Sequence, residues 1–232
     1  MPYLERDGDV HILYLGDPGR TDSENRFHPD WMDRFHAALD EVEATSGPAA
    51  LVVTATGKFF TNGLDTDWLF GNLGEIHGYL DRVHTVFSRL LTFPMTTVAA
   101  IGGHAFGAGA MLATSCDLRV MRADRGFYCL PEANLNMPFT VGMNALMTLQ
   151  LPRHVAVEAM TTSRRFGGPD ALAAGIVNEI VDGDGVLAAA VARANATTTL
   201  RGPNLAKIKA DVHAPIVTAL ATKTDPGNLA FG

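Results

Sequence analysis

Cysteine is nearly absent. Cys116 and Cys129 are the only two in 232 residues, too few and too isolated for a disulfide framework, so a reducing cytoplasm is the expected compartment. Basic charge is also scarce: eighteen Lys and Arg against twenty-five Asp and Glu leave a formal net charge of −7. That balance argues against a nucleic-acid partner bound by bulk electrostatics, though not against a local basic patch for phosphates. No apolar run reaches bilayer length, and Met1–Asp7 lacks a signal-peptide apolar stretch, so no membrane partner is expected. The final residues are not a Ser-Lys-Leu address. Missing too are Gly-x-Ser-x-Gly, His-Glu-x-x-His and paired Cys-x-x-Cys, which removes the common signatures of serine hydrolases and metal sites. There is no internal repeat.

What is present is apolar and periodic. Hydrophobic residues make up 47% of the chain, enough for a substantial core. His11–Leu15, Ala50–Ala55, Thr96–Ile101, Asp117–Arg122, Phe127–Cys129 and Ile176–Val181 read as strands. Asp30–Val42, Ile76–Leu91, Ala110–Ser115, Val141–Leu151 and His154–Thr161 carry helical spacing. Gly167–Asp170 opens a short helix. From Val186 onward the chain is alanine-rich and helical, with breaks at Pro203, Pro215 and Pro226. Alternating β and α elements imply a parallel-sheet α/β core.

Two glycine turns stand out. Lys58–Asp65 runs Lys-Phe-Phe-Thr-Asn-Gly-Leu-Asp, and Gly102–Ala110 follows an apolar strand and opens a helix. Turns of this kind let a ligand approach the backbone, and the first amides of a helix have no intrahelical acceptor. One turn on each side of a site could hold an oxyanion between two N–H groups. A dinucleotide turn is the competing reading of Gly107-x-Gly109, with Asp124 as ribose partner, but position 112 is Leu where a third glycine belongs.

The ordered set Phe60–Asp65, Gly103–Gly109, Cys116–Asp117 and Pro131–Glu132 resembles the crotonase superfamily, the enoyl-CoA hydratases and isomerases. The likeness extends from about Val10 to beyond Val181. Met121–Phe127 with Pro131-Glu132, and Asn25–Trp31 earlier, are similar to the plant-type delta-3, delta-2-enoyl-CoA isomerases in particular. The resemblance implies a spiral of ββα units over residues 1–183, with a short helical portion over 184–232 that makes oligomer contacts in a homotrimer or dimer of trimers. It implies an acyl-CoA substrate and no separate cofactor.

The resemblance also assigns roles. The Leu64 and Ala108 N–H groups would bind the thioester oxygen. Hydratases of the family use two glutamates; the first position is Met111 here, and the second is Glu132. One carboxylate among apolar neighbours suits proton transfer without water, so Glu132 is the expected acid/base of an isomerase. A hydratase with an atypical site, or a non-catalytic acyl-CoA binder, is the alternative. Trp68, Met111, Leu135, Phe139 and Met143, with Leu69 and Phe70, are the expected acyl pocket. Arg26, Lys58, Asn62, Gly63 and Asp65 are the expected coenzyme A side, with Lys207 and Lys209 as further cations for its phosphates. Each has a bland alternative: Asp65 as a helix cap, His104 as a packed imidazole, Asp117 and Cys116 as structural residues, and the lysines as solvated charges.

Overall fold

The computed structural model describes residues 1–229. Strands β1 (Tyr3–Asp7) and β2 (Val10–Tyr14) form an antiparallel pair, followed by helix α1 (Pro29–Glu43). Three strand pairs come next: β3 (Ala50–Thr54) with β4 (Phe59–Thr61), β5 (Thr97–Ile101) with β6 (His104–Phe106), and β7 (Leu118–Arg122) with β8 (Tyr128–Cys129). Helices α2 (Thr66–Gly71) and α3 (Ile76–Leu91) follow the first pair, and α4 (Ala108–Thr114) the second. After the third come α5 (Val141–Gln150), α6 (Arg153–Thr162), α7 (Gly168–Ala173) and strand β9 (Glu179–Val181), then α8 (Val186–Asn195), α9 (Pro203–Val212) and α10 (Ala214–Leu220).

Each pair sends one strand to each of two sheets. The larger sheet has the order β1-β2-β3-β5-β7-β9, parallel except for β1; the smaller is β4-β6-β8, all parallel. This is the ββα spiral, not a flat doubly wound sheet. Strands β4 and β6 are three residues long and look like loop in the sequence because glycines flank them. The apolar run Ile176–Val181 yields only a three-residue strand. Ile176 and Val177 instead donate to Ala171 O and finish the α7 turn.

Strands β3 and β5 are buried at every position, as parallel strands covered on both faces must be. Alternation then divides their side chains. Leu51 and Val53 join the main core, whereas Ala50, Val52, Val98 and Ala100 face a second apolar layer. Val186, Ala190 and Ala194, one helical turn apart, lay α8 on that second layer; their small side chains let the helix lie close to the sheet. The helical segment after residue 183 therefore begins by covering the large sheet.

Candidate active site

The carboxyl end of β4 and that of β6 bring two backbone amides together. Gly63 has φ +84°, a left-handed conformation, and a Cβ there would lie 2.6 Å from Phe106 O and 2.9 Å from Ala108 N. Only glycine fits such an approach, and the approach sets Leu64 beside the start of α4. The loop is braced from behind. Asn25 Nδ2 donates to Phe60 O (3.0 Å), Thr61 Oγ1 donates to Asn25 O (2.8 Å), and Gly63 N donates to Thr61 Oγ1 (3.0 Å). Ala108 is the first residue of α4, so its N–H has no intrahelical acceptor. Among the described residues, neither the Leu64 nor the Ala108 N–H donates to any acceptor.

Glu132 closes the third side. It is 9% exposed, its Oε2 has no partner among the described residues, and burial raises its pKa to about 7. Gly107 (φ +53°) leaves it room, since a Cβ there would meet Glu132 Oε1 at 3.2 Å. Leu64, Ala108, Met111, Glu132, Met137 and Met143 all line one inner chamber of about 20 Å³. Leu64, Leu69 and Met137 also line an outer cleft of about 730 Å³. The two cavities therefore meet at these three residues. Two free N–H donors, one carboxyl poised near neutrality and apolar walls can hold a carbonyl oxygen while a proton leaves an adjacent carbon.

The other expected residues divide. Met111 and Met143 line the chamber, and Leu135, Phe70, Arg26 and Asn62 the outer cleft. Arg26 is held there by Glu24 (2.6 Å) and Asp67 (2.9 Å), and Asn62 Nδ2 donates to Glu24 (3.0 Å). Trp68 lines neither cavity. It stacks on Tyr79, whose hydroxyl accepts from Asp65 N (2.9 Å) and donates to Phe27 O (3.0 Å), so it braces the amide loop. Phe139 packs against the core and lines neither cavity. Asp65 is the N-cap of α2, accepting from Trp68 N at 3.1 Å. Lys58 lines a separate hollow with His104 and Arg125. His104 packs among Phe59, Phe106 and Phe127, and burial, with Lys58 and Arg165 nearby, lowers its pKa. Lys207 pairs with Asp211, and Lys209 is buried against Asp117 (2.7 Å).

Sequence reasoning missed Arg165 in the outer cleft and Met137, Leu80 and Thr140 in the chamber. Arg165 has no motif to announce it. Met137 follows Glu132 after the mixed run Ala133-Asn134-Leu135-Asn136, which has no apolar period to single it out.

Comparisons with known proteins bear on this geometry. A family model described as enoyl-CoA hydratase/isomerase matches residues 15–227. A protein of Arabidopsis thaliana named enoyl-CoA delta isomerase 3 is 32% identical over 199 residues, covering 82% of each chain. A putative enoyl-CoA hydratase of Thermus thermophilus is 32% identical over 204 residues, covering 84% of this chain and 78% of its own. Among solved structures, a probable enoyl-CoA hydratase of Mycobacterium tuberculosis superposes with a TM-score of 0.85 at 27% identity, covering 94% of this chain and 91% of that one.

Proposed function

Because the chain belongs to the enoyl-CoA hydratase/isomerase family, we propose that it shifts the double bond of a β,γ-unsaturated acyl-CoA thioester to the α,β position. The observation that carries this reading is the lone carboxyl of the chamber. Among the described residues Glu132 is the only acidic one lining it, and Met111, at the position that the resemblance gives the hydratases' first glutamate, lines the same chamber as a thioether.

In this reaction the Glu132 carboxylate takes a proton from Cα. The C–H electron pair moves toward the carbonyl and leaves a dienolate, whose oxygen accepts from the Leu64 and Ala108 N–H groups. Glu132 then returns the proton to Cγ, and the double bond ends between Cα and Cβ. The amides act most strongly on the dienolate, so loss of one should cost roughly a hundredfold or more in turnover. A thioether has neither the charge nor the acceptor needed to take a proton from water. Hydration is the second reading, favoured by the chamber's volume of about 20 Å³, room for a single water.

The separating experiment offers β,γ-enoyl and α,β-enoyl thioesters to the wild type and to Glu132→Gln. Isomerisation should dominate in the wild type and fall about a hundred- to ten-thousandfold in the variant, which still binds acyl-CoA. Hydration at a rate matching isomerisation would refute the reading. So would full isomerase activity in Glu132→Gln. We place the enzyme in the cytoplasm, and assign its subunit contacts to the portion 184–232, whose last three residues lie outside the described ones; both cysteines are buried and free, and no helix among the described residues is long and apolar enough to cross a membrane.

A further inference from the structure

The outer face of the small sheet carries aromatic rings and cations side by side. Alternation along β6 buries Ala105 and turns His104 and Phe106 outward together. Their ring centroids are 4.9 Å apart, and Phe59 of β4 and Phe127 close around His104 at 5.4 and 5.6 Å. Beyond β8, Phe166 exchanges two backbone hydrogen bonds with Tyr128 (2.9 Å each), and its side chain is buried. Arg165, one residue earlier, is thereby sent to the opposite, outer face. Its guanidinium carbon lies 5.8 Å from the Phe106 ring centroid, and Lys58 Nζ lies 5.2 Å from that of Phe59.

Most cations of this chain are neutralised by carboxylates or committed to carbonyls. Among the described residues only the side chains of Lys58, Arg125, Arg153 and Arg165 make neither an ion pair nor a hydrogen bond. Arg153 stands apart at the start of α6. The other three gather around His104. Lys58 and Arg125 line the hollow of about 420 Å³ that His104 also lines, and Arg165 lines the outer cleft with Phe106. Burial lowers the His104 pKa, and Lys58 and Arg165 both add to that shift, so one positive field spans the two cavities. Arg26, the other cation of the cleft, is opposed by Glu24 and Asp67. An anion entering the cleft of this acidic chain therefore meets unopposed positive charge at Arg165.

We propose that Arg165 is the phosphate anchor of the outer cleft, the residue that selects a phosphate-bearing thioester carrier, and that Lys58 and Arg125 extend the anchor to phosphates farther along that carrier. The proposal rests on the acyl-thioester reading of the site. Strand β6 supplies the track. Its carboxyl end leads into the turn that carries the Ala108 amide, Phe106 lines the cleft, and His104 opens on the hollow. At about 3.3 Å per residue, His104 stands roughly 10 Å from that turn, a span that an extended pantetheine arm covers. With the thioester oxygen on the Leu64 and Ala108 amides, the first phosphate of the arm comes to Arg165, whose planar guanidinium pairs with phosphate oxygens two at a time.

The test uses saturated thioesters, whose binding needs no proton transfer, so it is independent of the isomerase step. Affinities of butyryl-pantetheine, butyryl-phosphopantetheine and butyryl-CoA are measured by competition for the wild type, Arg165→Gln, Arg26→Gln and the double variant Lys58→Gln/Arg125→Gln. The wild type should bind the phosphopantetheine form about tenfold more tightly than the pantetheine form, and this preference should shrink as salt is raised. Arg165→Gln should lose most of it while binding the pantetheine form as the wild type does. The double variant should lose the further preference for CoA over phosphopantetheine. Equal wild-type affinity for the pantetheine and phosphopantetheine forms overturns the proposal, a result that needs no variant to fold. So does a larger loss of preference in Arg26→Gln than in Arg165→Gln, which would make Arg26 the anchor. An undiminished CoA preference in the double variant removes Lys58 and Arg125 from the site. If none of the three thioesters binds the wild type, the acyl-thioester reading itself falls, and the anchor with it.

Discussion

At the scale of single residues, function and stability pull Glu132 in opposite directions. Its carboxyl titrates near 7 in the folded chain, against an ordinary 4.5, because burial penalises the charged form. The folded state thus binds the proton more tightly than the unfolded state does. Its stabilising contribution is complete below pH 4.5 and is lost as pH rises through about 7. Glu132→Gln keeps size and polarity but cannot ionise, so it should be more stable than wild type at pH 8, by up to about 3 kcal/mol, and equal to it near pH 4. Thermal melts at the two pH values check this; equal midpoints at pH 8 would contradict it. Activity follows the opposite course. The base must be ionised, so wild-type kcat/KM should rise about tenfold per pH unit up to about pH 7 and then level off. The residues of this chamber were legible unequally. Leu64, Ala108, Met111 and Glu132 sit in motifs whose spacing reflects two tight turns and one strand end. Arg165 and Leu80 reach the cavities from distant helices and loops, and no local pattern ties them to Glu132.

At the scale of elements, strands buried on both faces and helices with one apolar stripe could be read directly: β3, β5, α1 and α3 each carry the full period of their type. Strands β4 and β6 could not. At three residues each, they owe their conformation to pairing with each other and with β8, and glycines on either side give them the look of a loop. Charge was misleading in the same way. Lys209 looks like a free cation suited to a phosphate, yet α9 uses it as a pin. Its Nζ donates to Asp117 (2.7 Å) and Met95 O (3.2 Å), and Asp117 also accepts from Thr97 N (2.7 Å) and Oγ1 (2.9 Å). Breaking a buried pair leaves an uncompensated charge, and here Thr97 retains part of the compensation. Lys209→Met should therefore cost about 3 kcal/mol, near the lower end for such pairs, with KM for acyl-CoA unchanged. A tenfold rise in KM in a variant of normal stability would instead make Lys209 a ligand for coenzyme A.

At the scale of the whole molecule, the remaining question is what covers the apolar side chains left outside. Ile208 and Val212, one turn apart on α9, are 58% and 66% exposed, and Leu200 just before that helix is 56% exposed. A scattered exposed aliphatic residue is ordinary, but these fall within one short stretch of the C-terminal portion, which the family resemblance places at subunit contacts. Burying each would contribute about 1.5 to 3 kcal/mol, enough in a symmetric assembly, where each contact repeats, to favour association. The expected state is a homotrimer or a dimer of trimers. Light scattering should then give three or six times the 24.8 kDa chain mass. The paired substitution of Ile208 and Val212 by Asp should lower that mass without unfolding the chain, since neither side chain contributes to the apolar core. A wild-type monomer at micromolar concentration would refute the assembly. A wild-type trimer that survives the double substitution would move the contact to another face.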